Sequence, residues 1–212
     1  MTTRAHGAKA EAVIFDIGNT LVRWDPRRLY ERLIDDPAEL DWFLSHVVTI
    51  DWHTEHDRGR PFADGIRMLT TRYPDHADLI AAFRDRWQET FIGPIAGSVA
   101  ALEALAARGV PVYALTNYSA ETYPDFEARY AFARHFRDVV VSGREGVIKP
   151  DPRIYDIAID RFGIDPRHTL FVDDVARNVD AGRAKGLIGH HFTDPARLRR
   201  HLIELGLLDG AG

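Results

Sequence analysis

Cysteine is absent from this chain of 212 residues, so disulfide bonds, thiolate metal sites and cysteine nucleophiles are excluded. Long apolar runs are absent too, and no stretch approaches the roughly 20 residues that a membrane-spanning helix needs. Residues 1–11 contain no apolar segment and are expected to form a short tail rather than a signal peptide. We therefore expect a cytoplasmic protein with no membrane partner.

A strong positive charge is also missing. The 27 Lys and Arg residues face 32 Asp and Glu residues, which gives a formal net charge of −5. The most basic segment, 197–201, has a helical pattern and is expected to be a solvated helix face. Because proteins that bind nucleic acids present a basic patch, we expect no nucleic-acid partner. The hydrophobic share of 45% and the charged share of 28% are typical of a globular protein with a buried core.

Short apolar runs alternate with helical patterns along the chain. The runs lie at 12–15, 110–115, 139–141, 169–172 and 187–192. The helical patterns lie at 98–108, 152–162, 176–185 and 195–205. This alternation predicts an α/β fold, namely a doubly wound, Rossmann-like parallel sheet with helices on both faces. In such sheets ligands bind at the carboxyl ends of the strands, and polar residues follow the predicted strands there.

The interval between the first two predicted strands is longer than one crossover needs. Asp16 and Thr116 are 100 residues apart, whereas a strand–helix–strand unit needs about 30. The surplus segment shows few strand signals, and its helical patterns lie at 29–44, 63–72 and 77–91. We interpret residues 25–94 as a helical cap inserted into an α/β core formed by residues 1–24 and 95–212.

Several polar side chains fall at the predicted strand ends. They are Asp16, Thr20, Thr116, Lys149, Asp173 and Asp174. Three carboxylates in one cleft raise one another's pKa unless a cation lies among them. Mg²⁺, which takes carboxylate, carbonyl and water ligands, meets that need. A single Asp after a strand is more often a cap or turn residue, so the prediction depends on the whole set in this order.

These residues belong to four short motifs. The motifs are Phe-Asp-Ile-Gly-Asn-Thr-Leu at 15–21, Leu-Thr-Asn at 115–117, Lys-Pro-Asp-Pro-Arg-Ile-Tyr at 149–155 and Phe-Val-Asp-Asp at 171–174. In this order they resemble the motifs of the haloacid dehalogenase superfamily, and the cap position is similar to that of its helical-cap subfamily I. The first motif, Asn178 after the fourth, and the cap stretch 52–59 are similar to the α-D-glucose-1-phosphate phosphatase branch.

The resemblance implies a Mg²⁺-dependent phosphatase that forms an aspartyl-phosphate intermediate on Asp16. It implies that Lys149 balances the charge of the nucleophile and contacts phosphate oxygens, and that the Thr116 hydroxyl binds a phosphate oxygen. The implied Mg²⁺ ligands are Asp16, the Gly18 carbonyl and Asp174, and Asp173 is implied either to be a further ligand or to hold the water molecules of the metal. Asn178 is implied to orient Asp173, Asp174 or Lys149.

Further residues are expected around the phosphate and the substrate. The resemblance implies that the amides of Ile17, Gly18 and Asn117 bind phosphate oxygens and that Thr20 braces Asp16. Two aromatic residues next to the motifs, Trp24 and Tyr118, are expected to line the substrate pocket. The other tryptophans of the inserted segment are expected to form its packing core, and they are Trp42, Trp52 and Trp87.

One position departs from the pattern of the superfamily. Its phosphatases usually carry a second Asp two residues after the nucleophile, which protonates the leaving group and then activates water, but this chain has Gly18. General acid–base help is worth about 10²–10⁴-fold in rate. Either the leaving group is an acidic anomeric hydroxyl, as in a sugar 1-phosphate, or the cap supplies the missing group. The cap candidates are His53, Glu55, His56 and Asp57.

Two other functions stay open. Hydrolytic 2-haloacid dehalogenases also lack the second Asp, attack carbon and need no metal, but they usually carry Ser-Asn where this chain has Asp173 and Asp174. A non-catalytic phosphate-binding module is the other alternative. We favour a Mg²⁺-dependent phosphatase whose partner is a small phosphorylated metabolite, with a sugar phosphate as the leading substrate. A homodimer is compatible with the sequence.

Overall fold

The computed structural model describes residues 10–210, so most of the predicted N-terminal tail lies outside the described residues. The strands are β1 (Ala12–Phe15), β2 (Val22–Trp24), β3 (Phe91–Pro94), β4 (Val112–Thr116), β5 (Val139–Val141), β6 (Thr169–Asp173) and β7 (Ile188–His191). The helices are α1 (Arg27–Tyr30), α2 (Pro37–His46), α3 (Ile50–Asp57), α4 (Phe62–Arg72), α5 (Ala77–Asp85), α6 (Ala96–Ala107), α7 (Tyr123–Arg129), α8 (Ser142–Glu145), α9 (Pro152–Phe162), α10 (Ala176–Ala184) and α11 (Pro195–Glu204).

Within residues 10–210, five strands form one sheet in the order β5-β4-β1-β6-β7, and every neighbouring pair is parallel. The central strand β1 pairs with β4 on one side, where Val13 lies beside Val112, and with β6 on the other, where Val13 lies beside Leu170. All residues of β1, β4 and β6 are buried, as expected for central strands covered on both faces. The predicted doubly wound α/β fold is confirmed.

The two faces of the sheet pack against different helices. Successive side chains of β1 point to opposite faces, so Val13 and Phe15 join one apolar cluster while Ala12 and Ile14 join the other. The first cluster contains residues of α6 and α11, which are Ala101, Leu102, Leu105, Leu198 and Leu202. The second contains residues of α9, which are Ile154, Tyr155, Ala158 and Phe162. The segment 197–201 lies on α11 and exposes its arginines to solvent, as expected.

The helices α1 to α5 lie in the chain between β2 and β3, which pair with each other in an antiparallel ribbon. The prediction of one helix over 29–44 was wrong, because Pro37 cannot continue a helix and starts a new one. Asp36 caps that new helix by accepting hydrogen bonds from the amides of Ala38 and Glu39, at 2.7 and 3.1 Å. The assignment of residues 25–94 as a cap domain stays a prediction.

Two more local predictions in this segment needed correction. The helix expected over 77–91 ends at Asp85, and Phe91 belongs to β3 instead. Trp52 and Trp87 are buried as expected, but Trp42 is 39% exposed. Helix α2 turns Leu40 and Phe43 inward, and Trp42 lies outside this buried face against His46 and Tyr73.

Among the helices of residues 10–210, none combines the length and the apolar character that a bilayer crossing requires.

Candidate active site

The candidate site lies where the three central strands end. Thr116 and Asp173 are the last residues of β4 and β6, and Asp16 follows β1 directly. Because these strands are parallel neighbours, their carboxyl ends meet at one edge of the sheet. The amide of Asp16 donates to the carbonyl of Val172 at 2.8 Å, which ties the two strand ends together. All three side chains are buried.

Lys149 connects the acidic side chains of this edge. Its Nζ donates to Asp16 Oδ1 at 2.7 Å, to Asp173 Oδ2 at 2.7 Å and to the Leu115 carbonyl at 2.8 Å. An ammonium group has three protons, and each of them therefore has an acceptor. The ammonium is buried with both carboxylates, so it fixes their orientation as well as balancing their charge.

The side chain of Asn117, for which no role was predicted, holds the backbone of Lys149. Asn117 Nδ2 donates to the Lys149 carbonyl at 3.0 Å, and the Lys149 amide donates to Asn117 Oδ1 at 2.8 Å. This pair joins the loop after β4 to the segment that carries the lysine. The sequence prediction concerned only the Asn117 amide, since a contact between residues 32 positions apart leaves no local pattern.

Asp173 is oriented by the first turn of α10. Its Oδ1 accepts hydrogen bonds from the Val175 amide at 2.9 Å and from Asn178 Nδ2 at 3.0 Å. The backbone carbonyl of Asn178 accepts a hydrogen bond from the Tyr155 hydroxyl at 2.7 Å, which anchors this turn to α9. Asn178 thus contacts Asp173, one of the three partners expected for it.

The charges at this edge perturb one another. Burial, together with the nearby carboxylates of Asp173 and Asp174, raises the pKa of Asp16 to about 7 against the opposing charge of Lys149. Burial and then Asp173 also raise the pKa of Asp174. Burial disfavours the charged form of Lys149, but Asp16 and Asp173 outweigh it, so the pKa of Lys149 is raised and the ammonium persists. The site therefore holds more negative charge than its one lysine neutralises.

This surplus of negative charge fits a divalent cation. Asp16, Asp173 and Asp174 each offer a carboxylate oxygen, and these oxygens lie within 4.8 Å of one another. Hard oxygen ligands at such spacing suit Mg²⁺, which commonly keeps water on its remaining positions. The Gly18 carbonyl as a further ligand stays a prediction.

The loop after β1 turns sharply at Asn19. Its φ angle of 52° lies in the left-handed region, which Asn tolerates better than most residues. Asn19 Oδ1 accepts a hydrogen bond from the Trp24 amide at 3.0 Å, and the Asn19 amide donates to the Val22 carbonyl at 2.7 Å. The turn thus leads the chain from Asp16 into β2 and brings Trp24 toward the site.

Two residues of this loop point into the protein. The Ile17 side chain is fully buried in the core, which leaves only its backbone for the predicted phosphate contact. The Thr20 side chain is also fully buried, and its hydroxyl has no hydrogen-bond partner among residues 10–210. The brace from Thr20 to Asp16 that we expected is therefore not formed, because the hydroxyl makes no bond to the carboxylate.

A cavity of about 160 Å³ adjoins the strand ends. The core contributes Gly18, Asn117 and Tyr118 to its wall, and the residues from β2 to β3 contribute Trp24, Ile50, His53, Thr54, Asp57, Trp87 and Phe91. Trp24 and Tyr118 thus lie at the cavity as expected, and their contact with substrate stays a prediction. The cavity opens directly beside the motif residues. The organic group of a phosphate ester would therefore lie in the cavity when its phosphate group is held by these residues.

The walls of the cavity are mainly aromatic. The Trp24 and His53 rings stack with their centroids 4.9 Å apart, and His53 stacks in turn on Trp87 at 5.5 Å. Trp87 Nε1 donates a hydrogen bond to the Tyr118 hydroxyl at 3.3 Å. Ile50 lies on the wall and is 56% exposed. Ring and alkyl surface thus makes up most of the wall, and its polar side chains are His53, Thr54, Asp57 and Asn117.

The four cap candidates for acid–base chemistry separate into two pairs. Glu55 forms ion pairs with Arg58 and Arg60, at 3.5 and 3.2 Å. His56 donates from Nδ1 to the Arg60 carbonyl at 2.9 Å, and its ring stacks on a phenylalanine of α4 at 4.1 Å. Neither lines the cavity, whereas His53 and Asp57 both do.

His53 and Asp57 lie one helical turn apart on α3, with His53 Nε2 3.5 Å from Asp57 Oδ2. Burial, together with the neighbouring His56, lowers the pKa of His53 to about 3. Burial, together with the charge of Asp16 and against that of Lys149, raises the pKa of Asp57 to about 8. At neutral pH the two side chains are therefore a neutral imidazole and a protonated carboxyl group rather than an ion pair.

Known proteins share both the sequence pattern and the fold. The family model of haloacid dehalogenase-like hydrolases matches residues 10–186. The sesquiterpene phosphatase astK of Aspergillus oryzae is 28% identical over 187 residues, which cover 87% of this chain and 90% of that phosphatase. The α-D-glucose-1-phosphate phosphatase branch is not singled out by these matches and stays a prediction.

Crystal structures of similar fold come from enzymes of two kinds. The haloacid dehalogenase family enzyme BT-2542 of Bacteroides thetaiotaomicron, in complex with magnesium and inorganic phosphate, has a TM-score of 0.68 at 18% identity, covering 87% of this chain and 94% of that one. The L-2-haloacid dehalogenase of Xanthobacter autotrophicus has a TM-score of 0.60 at 18% identity, covering 92% and 83%. At such identity these structures establish the fold alone. The four ordered motifs, the strand-end site and the family model together show that this chain belongs to the haloacid dehalogenase-like hydrolases.

Proposed function

We propose that this hydrolase is a Mg²⁺-dependent phosphatase that transfers the phosphoryl group to Asp16 before water releases it. The main support for this proposal is the cluster of Asp16, Asp173 and Asp174 around Lys149, because the negative charge of three carboxylates exceeds what one ammonium group neutralises. A metal-free pocket for a haloacid carboxylate would need the opposite charge at this edge. The paired carboxylates of Asp173 and Asp174 therefore favour phosphate chemistry over dehalogenation.

The hydrogen bonds of Asp16 favour one of its two carboxylate oxygens as the attacking atom. Lys149 donates to Oδ1, so Oδ2 is the oxygen available to attack phosphorus. Lys149 also supplies positive charge beside the phosphoryl group during its transfer to Asp16. The Thr116 hydroxyl and the amides of Ile17, Gly18 and Asn117 would donate to the phosphate oxygens. When bound by Asp16, Asp173 and Asp174, Mg²⁺ would neutralise the negative charge of the phosphate and of these carboxylates.

The residues that line the cavity favour a phosphoric monoester with an apolar organic group as the substrate. Trp24, Trp87 and Phe91 offer ring surfaces, and the buried imidazole of His53 is uncharged at neutral pH. A sugar would place several hydroxyl groups against these surfaces and leave them without hydrogen bonds. The similarity to a sesquiterpene phosphatase, whose name describes an apolar substrate, supports this class.

A sugar phosphate is the second candidate. Gly18 stands where an acid is usual, and an anomeric leaving group needs less protonation than an ordinary alcohol. Thr54 and Asn117 on the cavity wall could each bind a hydroxyl group. An apolar ester needs apolar surface on the cavity wall, whereas a sugar phosphate needs hydrogen-bonding groups there. Relative rates within one substrate panel therefore distinguish the two classes.

The test is phosphate release from geranyl phosphate, phenyl phosphate, glucose 1-phosphate and glucose 6-phosphate, with Mg²⁺ or with chelator. A parallel assay follows halide release from 2-chloropropionate. We expect Mg²⁺-dependent phosphate release that is fastest for the apolar esters and is abolished by Asp16→Asn. Halide release that is insensitive to chelator would overturn the proposal, and glucose 1-phosphate as the fastest substrate would reverse the order of the two substrate classes.

A further inference from the structure

The space above Gly18 is open where the superfamily usually places an acid. A Cβ atom built on Gly18 would meet no atom of residues 10–210 within 4 Å, and φ at this residue is not in the left-handed region. The backbone would therefore accept a side chain, and the sequence supplies none. Gly18 forms part of the cavity wall, and so does Asp57 of α3. A carboxyl group thus reaches the same cavity from a different part of the chain.

The end of α3 that carries Asp57 is fixed to the core. Ser142 Oγ donates a hydrogen bond to the Asp57 carbonyl at 2.6 Å and accepts one from the Tyr118 amide at 2.9 Å. Two residues after Asp57, Gly59 has a φ angle of 105°, and a Cβ there would lie 3.1 Å from the Gly143 carbonyl oxygen. These contacts hold the backbone of Asp57 against the start of α8, which directly follows β5, so the core sets its position beside the cavity.

The Asp57 carboxyl group has an unused oxygen. The residue is only 8% exposed, and Oδ1 has no hydrogen-bond partner in the described part of the chain. Nearly all buried polar atoms have a partner, so this unpaired oxygen shows that the described residues leave the hydrogen bonding of the carboxyl group incomplete. Oδ2 lies 3.5 Å from His53 Nε2. The charge of Asp16 also raises the pKa of the group, whereas the charge of Lys149 and a hydrogen bond from the Ser119 amide lower it.

We propose that Asp57 is the general acid and general base of this hydrolase, in place of the carboxyl group missing at position 18. The proposal rests on the phosphatase function proposed above. His53 is a positioning residue, because its ring stacks between Trp24 and Trp87 and its Nε2 faces the Asp57 carboxyl group. The raised pKa of Asp57 agrees with this role, since a carboxyl group that donates a proton has to be protonated at working pH.

The proton changes hands twice in one turnover. In the first half, Asp16 Oδ2 bonds to phosphorus while the bond from phosphorus to the ester oxygen breaks. That oxygen keeps the electron pair and takes the Asp57 proton, so an alcohol leaves and Asp57 becomes a carboxylate. In the second half, Asp57 takes a proton from water as the water oxygen bonds to phosphorus and the bond to Asp16 breaks. The sum is ester plus water giving alcohol plus phosphate.

Leaving groups of different basicity test this role directly. Asp57→Asn keeps the size of the side chain and removes the proton, and Asp51→Asn on the exposed side of α3 is the matched control. The substrates are phenethyl phosphate, whose alkoxide needs a proton to leave, and p-nitrophenyl phosphate, whose phenolate does not. We expect Asp57→Asn to lower turnover of phenethyl phosphate by about 10²–10⁴-fold. With p-nitrophenyl phosphate it should give a rapid burst of nitrophenol followed by slow turnover, because only the second half then needs Asp57.

The outcomes separate this inference from the proposed function. Equal losses on both substrates without a burst, in a variant whose unfolding temperature matches the wild type, would mean a structural role and would overturn the inference. Wild-type rates in Asp57→Asn would overturn it as well. Both results leave the phosphatase function intact as long as Asp16→Asn is inactive. If Asp16→Asn keeps its activity, it is the proposed function that fails.

Discussion

Replacing Asp57 by Asn should change how the stability of the protein depends on pH. Burial raises the pKa of this carboxyl group from its ordinary value of 3.8 to about 8 in the folded protein. Between these two values the folded chain holds a proton that the unfolded chain has released. The contribution of Asp57 to the free energy of unfolding therefore falls as the pH rises through this window and is constant above it. Asparagine has no proton to lose and contributes no such slope.

The expected size follows from the width of the window. Each pH unit within it is worth about 1.4 kcal/mol. Between pH 5 and pH 8 the free energy of unfolding of Asp57→Asn should therefore rise by about 4 kcal/mol relative to the wild type. This rise is a difference between two proteins, so the pH dependence that Asp174 produces in both of them cancels.

Urea unfolding in the presence of chelator measures this difference at pH 5, 6.5 and 8. Asp51→Asn serves as the control, since Asp51 lies exposed on the same helix, and its difference from wild type should stay level across the series. If the curves of wild type and Asp57→Asn against pH run parallel, the pKa of Asp57 is not raised and the reasoning about its burial is wrong.

Three further predictions concern the charges at the strand ends. Lys149→Met should lower the free energy of unfolding in chelator by about 3–5 kcal/mol, because Asp16 and Asp173 lose their buried partner; a loss below about 1 kcal/mol in urea unfolding would contradict this. Mg²⁺ at 100 times its dissociation constant should stabilise the wild type by about 2.7 kcal/mol, and Asp174→Asn should remove most of this gain in thermal unfolding; an equal gain in the variant would exclude Asp174 as a ligand. Gly18→Asp should fold normally and restore turnover of phenethyl phosphate to Asp57→Asn, since the space at position 18 is open; a folded double variant without recovery would mean that Asp57→Asn lacks something other than a proton.

The core strands could be predicted from sequence because their signal is local. β1 (Ala12–Phe15) and β5 (Val139–Val141) have the bounds that the apolar runs predicted, and so does helix α9 (Pro152–Phe162). A strand buried on both faces needs a continuous apolar run, and such a run ends visibly at the first polar residue. The pairing of β2 with β3 has no such signal. Both strands are short, and their contact depends on segments that lie far apart in the chain.

The candidate site likewise contains residues that local sequence predicts and a contact that it does not. Asp16, Thr116 and Asp173 could be placed because each directly follows or ends a predicted strand. The clamp of Asn117 on the Lys149 backbone was not foreseen, since it joins two loops that meet only in the folded chain.

The choice of Asp57 among the cap residues also needed the structure. Helix α3 was not among the predicted helices, so the sequence could not tell which of its side chains share a face. The observed helix turns His53 and Asp57 toward the cavity and leaves Glu55 beside arginines. Four candidate residues thus became two once the direction of the helix was known.

The central claim is that Asp16 carries the phosphoryl group, and the most direct test is phosphate release by Asp16→Asn in saturating Mg²⁺ with the best ester of the panel. Asparagine has nearly the same shape, so the fold should persist, and circular dichroism checks this. We expect phosphate release to disappear in Asp16→Asn, and we expect wild-type protein quenched in acid during turnover to carry a phosphoryl group on the peptide containing Asp16. A folded Asp16→Asn variant that releases phosphate at the wild-type rate would contradict the account.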